Sequence, residues 1–184
     1  MHLNRTLQSY STVSKVLHWL MAILVVVCWM LGVFTNDLMK VTSRSVTLFV
    51  HITVGLALLD ILVLRALWRA MSSLPPAERP VFGIWPGVGR LMHYVLYAML
   101  LMVPVTGIVL QFSYGQGLPL YGVAEIPSPL TFDAKLANIM MEVHELSAHA
   151  LMILAGIHAL GALVHHYVFR DRTLVRMLPG PDGS

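Results

Sequence analysis

The chain has 184 residues, of which 57% are hydrophobic and 11% charged, with a formal net charge of +3. Soluble domains carry about 25% charged residues, so a water-soluble globule is excluded and a membrane protein is indicated. The small positive charge describes orientation in a bilayer, not a nucleic-acid partner.

A helix needs about 20 apolar residues to cross a bilayer, and four stretches are long enough. The first, VLHWLMAILVVVCWMLGVFT (16–35), predicts helix 1. Its apolar run is too long for a secretory signal, and GVFTND offers no small-x-small cleavage site, so it reads as a retained anchor. His18 lies near its start. Cys28, the single cysteine, excludes a disulfide framework and reads as a small packing residue. A short turn near 36–44 follows, with Lys40 and Arg44. Helix 2 is expected over 45–69, with His51 near its start, Asp60 in mid-span on the opposite face, and Arg65 and Arg69 one turn apart at its end.

The middle loop, SSLPPAERPVFGIWPGVG, is broken by proline and glycine and carries Arg79. Helix 3 is expected over 91–112, with His93 at its start and a kink at Pro104. The glycine- and proline-rich stretch 113–137, which includes Lys135, reads as an irregular connection and not a fifth span. Helix 4 is expected over 138–169. The fold class is therefore all-α: one membrane domain over 1–184, built as a four-helix transmembrane bundle. Trp19, Trp29, Trp68 and Trp85 mostly fall near span ends, as interface anchors do.

Lysine and arginine set the orientation. With four spans, both termini share one side. Nine basic residues fall there: Arg5 and Lys15, then Arg65, Arg69, Arg79 and Arg90, then Arg170, Arg172 and Arg176. Lys40, Arg44 and Lys135 fall on the other. The termini are expected in the cytoplasm.

Histidines dominate the polar chemistry of the spans. On helix 4, His158 follows His144 by fourteen residues, about 40° round and roughly 21 Å along the axis. His165 lies two turns further on the same face, and His149 points elsewhere. By depth, His51 matches His144 near the outer surface, and His18 matches His158 towards the cytoplasm. Imidazole inside a bilayer is costly without a partner. Two neutral histidines facing each other suit the axial positions of a haem iron. Zinc fits less well, because it wants a tetrahedral set and no carboxylate cluster accompanies the one cysteine. Isolated hydrogen-bonded packing is the alternative for any single histidine, but four matched in depth favour two b-type haems between the helices. The absence of CxxCH excludes covalent attachment. Gly55, one turn after His51, and the small residues Ala155, Gly156, Ala159, Gly161 and Ala162 around His158 leave room for a porphyrin, or serve ordinary helix packing.

The segments SKVLHWLMA, HITVG with LRALWR, HYVLYAMLLMVPVTG, and HELSAHALMILAGIHALGALVHHYVFRDRTLVRMLP resemble the bacterial cytochrome b561 family over roughly residues 10–179. The resemblance implies a dihaem four-helix protein of the bacterial inner membrane. The family's haem ligands fall on His18, His51, His144 and His158. One member type is a superoxide oxidase, passing electrons from superoxide outside, through two haems, to ubiquinone near the cytoplasmic face. The family's quinone-side histidine corresponds to His165, and His93 also matches a family histidine. Arg79 is the nearest basic residue to the family's lysine-and-proline-rich quinone loop, from which this sequence departs.

His165 near the cytoplasmic interface can supply a hydrogen bond and a proton to a quinone, or reach water or a haem propionate. Arg65 and Arg69 can pair with propionates or snorkel to the interface. Asp60 reads as hydrogen-bonded within the bundle or paired with an arginine. Lys40, Arg44 and Lys135 would attract superoxide if they converge, yet Asp37, Glu125 and Asp133 offset them. The leading expectation is a superoxide:ubiquinone oxidoreductase. The alternative is a non-enzymatic dihaem carrier between quinol and a periplasmic redox partner.

Overall fold

The computed structural model describes residues 9–38, 40–72 and 85–178. Among these, four helices are long and apolar enough to cross a membrane. Helix α1 spans Thr12–Val33, α3 Arg44–Met71, α4 Trp85–Ser113 and α5 Ala134–Tyr167, while a single turn, α2 (Thr35–Leu38), lies between α1 and α3. The expected helical bundle is what forms, with different ends.

Capping residues account for the shifted starts. Ser11 Oγ accepts from the Ser14 amide at 3.3 Å, so α1 begins before its apolar run. Ser43 Oγ accepts from Val46 N at 3.3 Å, and Asp133 Oδ1 from Leu136 N at 3.0 Å. Each side chain satisfies an amide that the first helical turn leaves unpaired. Helix α4 covers Trp85–Ser113, reaching further towards the N-terminus than expected. It runs on through Pro104 to Ser113 without interruption.

The bundle is two tight antiparallel pairs, α1 with α3 and α4 with α5, which meet each other more sparingly. A belt of Met21, Val25, Leu58, Leu62, Leu100 and Leu151 joins them. Leu151 is midway in sequence between His144 and His158, so the apolar belt separates the two histidine levels.

The 113–137 connection departs from expectation. It contains a hairpin, β1 (Leu118–Leu120) with β2 (Ala124–Ile126), antiparallel with Leu120 opposite Ala124. Tyr121 and Gly122 both take left-handed conformations, φ 55° and 76°, the twist that a tight hairpin turn requires. Leu118 is buried beneath it. The turn lies against α3, where a Cβ on Gly122 would come within 3.3 Å of Phe49 Cζ.

Asp60 finds its partner here. The Tyr121 hydroxyl donates to Asp60 Oδ2, so the carboxylate is hydrogen-bonded to the hairpin tip and not to an arginine. Burial, the hydrogen bond and the charge of Asp60 push the Tyr121 hydroxyl up to about 12, which keeps it a donor across the neutral range. Tyr121→Phe should therefore lower stability by about 1 kcal/mol, read as a lower thermal midpoint in detergent. Adding Asp60→Asn should cost less in that background than in wild type, because the two share one interaction. Fully additive losses would show that the contact contributes nothing.

Candidate functional site

The histidines pair as their depths require. The rings of His51 on α3 and His144 on α5 have centroids 6.1 Å apart and planes crossed at 84°. Those of His18 on α1 and His158 on α5 lie 6.3 Å apart, crossed at 80°. All four are partly buried. A metal–imidazole bond is about 2 Å, and the ring centre lies roughly 1 Å beyond the nitrogen, so two imidazoles on opposite faces of one metal place their centroids about 6 Å apart. Both pairs meet that requirement. Among the described residues no three His, Cys, Asp or Glu side chains converge as a zinc site would need. Each pair therefore has the donor chemistry that would suit a haem iron.

The neighbours of the outer pair orient it. His144 Nδ1 lies 3.0 Å from the Val103 carbonyl and 3.2 Å from Thr106 Oγ1, which itself donates to Val103 O at 2.8 Å. A carbonyl only accepts, so Nδ1 carries the proton and Nε2 is left with its lone pair. Gly107 makes the approach possible, since a Cβ there would come 3.0 Å from His144 Cε1 and 3.3 Å from Nδ1. On the other side, Cys28 Sγ lies 3.9 Å from His51 Nδ1 and donates to the His51 carbonyl at 3.8 Å. Gly32 faces the same ring, where a Cβ would come 3.5 Å from His51 Cε1. Cys28 is thus more than general packing; it touches a histidine of the outer pair. Gly55 faces Cys28 in the α1–α3 seam, which is helix packing, whereas Gly156 and Gly161 have open space before them.

At the inner level His93 lies against His158, centroids 5.3 Å apart, with its Nδ1 held 2.6 Å from the Gly89 carbonyl. The structure places it beside the inner pair and shows no contact between it and His165. Arg65 donates from Nε to the Tyr97 hydroxyl at 3.1 Å and from Nη1 to the Ser14 carbonyl at 3.2 Å. Ser14 precedes His18 by one turn, so this guanidinium sits just beyond the inner pair. Arg65 and Arg69 line a cleft with Ser14, Trp68 and Tyr97. Arg69 is exposed. Arg79 lies outside the described residues.

His165 is held at the end of α5 by a partner that sequence reasoning missed. Its Nδ1 is 2.5 Å from Asp171 Oδ2, and its ring meets Phe169 edge-on at 5.3 Å. Burial pushes the Asp171 carboxyl up, but hydrogen bonds from His165 and from Thr173 outweigh this and hold it below its ordinary value of 3.8. His166 packs on Tyr167 at 4.8 Å. His149 accepts from Trp29 Nε1 at 3.1 Å, away from both pairs, as expected of a packing residue.

Of the three cations expected at the outer face, Lys40 is ion-paired with Asp37 at 2.5 Å, and Arg44 and Lys135 are exposed.

Comparison with known proteins gives this arrangement a family. The chain is 28% identical over 179 residues to a probable superoxide oxidase CybB of Yersinia pestis, covering 96% of this chain and 99% of the relative. It is 29% identical over 185 residues to cytochrome b561 homolog 2 of Escherichia coli, covering 97% and 95%. It is 30% identical over 176 residues to a cytochrome b562 of Cereibacter sphaeroides, covering 92% and 94%. The prokaryotic cytochrome b561 family model matches residues 9–180, and the chain belongs to that family of helical membrane proteins that bind b-type haem.

Proposed function

We propose that this chain is a superoxide:ubiquinone oxidoreductase of the bacterial inner membrane, with both termini cytoplasmic, holding two b-type haems. His51 and His144 would hold the outer haem, and His18 and His158 the inner one. The observation that carries this reading is the repeated geometry: two crossed histidine pairs, 6.1 and 6.3 Å between centroids, stacked along α5 with an apolar belt between them. The full-length similarity to a probable superoxide oxidase supports the substrate assignment.

Bound haem supplies a one-electron carrier at each level. The chain supplies everything else. Val103 and Thr106 hold His144 through Nδ1, leaving Nε2 with its lone pair, and Gly107 gives its ring room. Arg65 places a fixed positive charge beside the inner pair, positioned to compensate a propionate. His165, beyond the inner level on the same helix, offers a hydrogen bond and a proton where a quinone becomes a quinol. The balance is two superoxide ions oxidised to two O2, and one ubiquinone taking two electrons and two protons.

One observation favours the second reading, a dihaem carrier between quinol and a periplasmic redox partner. Lys40 is paired with Asp37, which weakens the positive field it would offer a small anion. Stopped-flow mixing separates the two. Oxidised protein reduced rapidly by superoxide, and reoxidised by ubiquinone, supports the enzyme. Protein indifferent to superoxide but reduced by quinol is a carrier.

Ligation is tested directly by haem content. Wild type should bind two non-covalent b haems per chain. His51→Ala or His144→Ala should remove mainly one, and His18→Ala or His158→Ala the other. Gly107→Ala should disturb the outer haem selectively, because the new methyl group meets the His144 ring at 3.0 Å. One haem in wild type, or both haems retained in all four histidine variants, would remove the assignment.

A further inference from the structure

Beyond α5 the chain does not run free. Phe169 N bonds Val164 O at 3.2 Å, Arg170 takes a left-handed conformation at φ 53°, and Asp171 N bonds His165 O at 3.1 Å. This reversal brings Asp171 back under the last turn of the helix. Both carboxylate oxygens are then committed: Oδ2 to His165 Nδ1 at 2.5 Å, and Oδ1 to the Thr173 amide at 2.9 Å. The segment that follows is tied to α1, where Trp19 Nε1 donates to the Met177 carbonyl at 2.7 Å and Ser9 Oγ to the Arg176 carbonyl at 3.3 Å.

A carboxylate fixed at both oxygens fixes the ring it touches. Ionised Asp171 has no proton to give, so His165 Nδ1 must be the donor in that bond. Because the Asp171 carboxyl is held below its ordinary value, the bond persists throughout the neutral range and is lost only in acid, as the carboxylate protonates. His165 Nε2 is then the nitrogen left for anything else. Ordinary helix termination does not need this arrangement, since the backbone bonds of Phe169 and Asp171 already close the helix end.

We infer that Asp171 is the positioning residue of the quinone site: it locks His165 into the Nδ1–H form and so presents Nε2 to the quinone oxygen. The inference rests on the proposed reading of this end as the quinone side. When His165 is protonated, the Nε2–H bond breaks, its electron pair stays on nitrogen, and an O–H bond forms on the quinone oxygen. Water at the cytoplasmic face returns that proton to Nε2 and supplies the second one of the quinol. The two electrons are those that two superoxide ions give up. Asp171 remains a carboxylate throughout.

The test uses full-length, haem-loaded protein with Asp171→Ala, Asp171→Glu, His165→Gln and the double variant Asp171→Ala/His165→Gln. In the first measurement, 15N-histidine spectra are taken of the reduced protein, whose low-spin ferrous haems are diamagnetic, and His165 is identified by its loss in His165→Gln. Wild type should show the Nδ1–H form, and Asp171→Ala a mixture. In the second, prereduced protein is reoxidised by a short-chain ubiquinone. Asp171→Ala should lower the maximal rate by on the order of tenfold or more, with haem spectra, reduction by superoxide and half-saturating quinone concentration unchanged. Asp171→Glu should recover part of the rate, and the double variant should be no slower than His165→Gln. If His165→Gln is slow while Asp171→Ala keeps both the wild-type tautomer and the wild-type rate, the inference falls and the quinone reading stands. If His165→Gln itself reoxidises like wild type, both fall. Should Asp171→Ala not retain haem, Asp171→Leu, which fills similar space without an acceptor, replaces it: a wild-type tautomer and a wild-type rate there contradict the inference.

Discussion

Imidazole in a bilayer is tolerated only when something takes its lone pair, and this chain carries four such rings at matched depths. Their pairing sets the architecture. Each pair draws one ring from the α1–α3 unit and one from α5 of the other unit, so a ligand held by both rings, as proposed, would require the two tight helix pairs to stay apart at these levels. The apolar belt of Met21, Val25, Leu58, Leu62, Leu100 and Leu151 closes the bundle between the two levels. A core packed along the whole interface would leave no room for cofactors. The spacing of His144 and His158 on one straight helix then decides how far apart the two levels lie.

The two levels are supported differently. The outer one is buttressed by close approaches: Gly107 against His144, Gly32 and Cys28 against His51, and a backbone carbonyl that fixes the His144 tautomer. A carbonyl partner strengthens the imidazole as a donor to metal, while the thiol beside His51 does so only weakly. The inner level is surrounded by charge and aromatic edges instead, with Arg65 one turn away and His93 against His158. The Arg65 charge would stabilise an added electron at that level, in the direction the proposed function requires.

Much of this was legible in the sequence. Apolar length gave the four spans, because a bilayer imposes one number on every helix that crosses it. Helix periodicity put His144 and His158 on one face, and the depth argument gave their partners. What stayed hidden required knowing which helices are neighbours. Nothing local marks Gly107 or Val103 as the support of a histidine on another helix, and Thr106 reads as any span threonine. Asp171 was missed for a backbone reason: its return to His165 depends on a left-handed Arg170, where glycine would have signalled the turn. The hairpin was missed because each strand has three residues and one contains proline. Asp60 was recognised as needing a hydrogen bond, but its donor, Tyr121, comes from a distant loop.

Each crossed histidine pair is proposed to clamp one iron. Two imidazole planes near 90° leave the iron's two π-type d orbitals almost equal in energy, which gives a ferric haem a strongly anisotropic low-spin signal. Electron paramagnetic resonance of the oxidised full-length protein tests this most directly. The account predicts two such low-spin signals of equal intensity, one lost in His144→Ala and the other in His18→Ala. A single low-spin signal, a high-spin signal in intact wild type, or two rhombic signals of the kind parallel imidazoles give would contradict it.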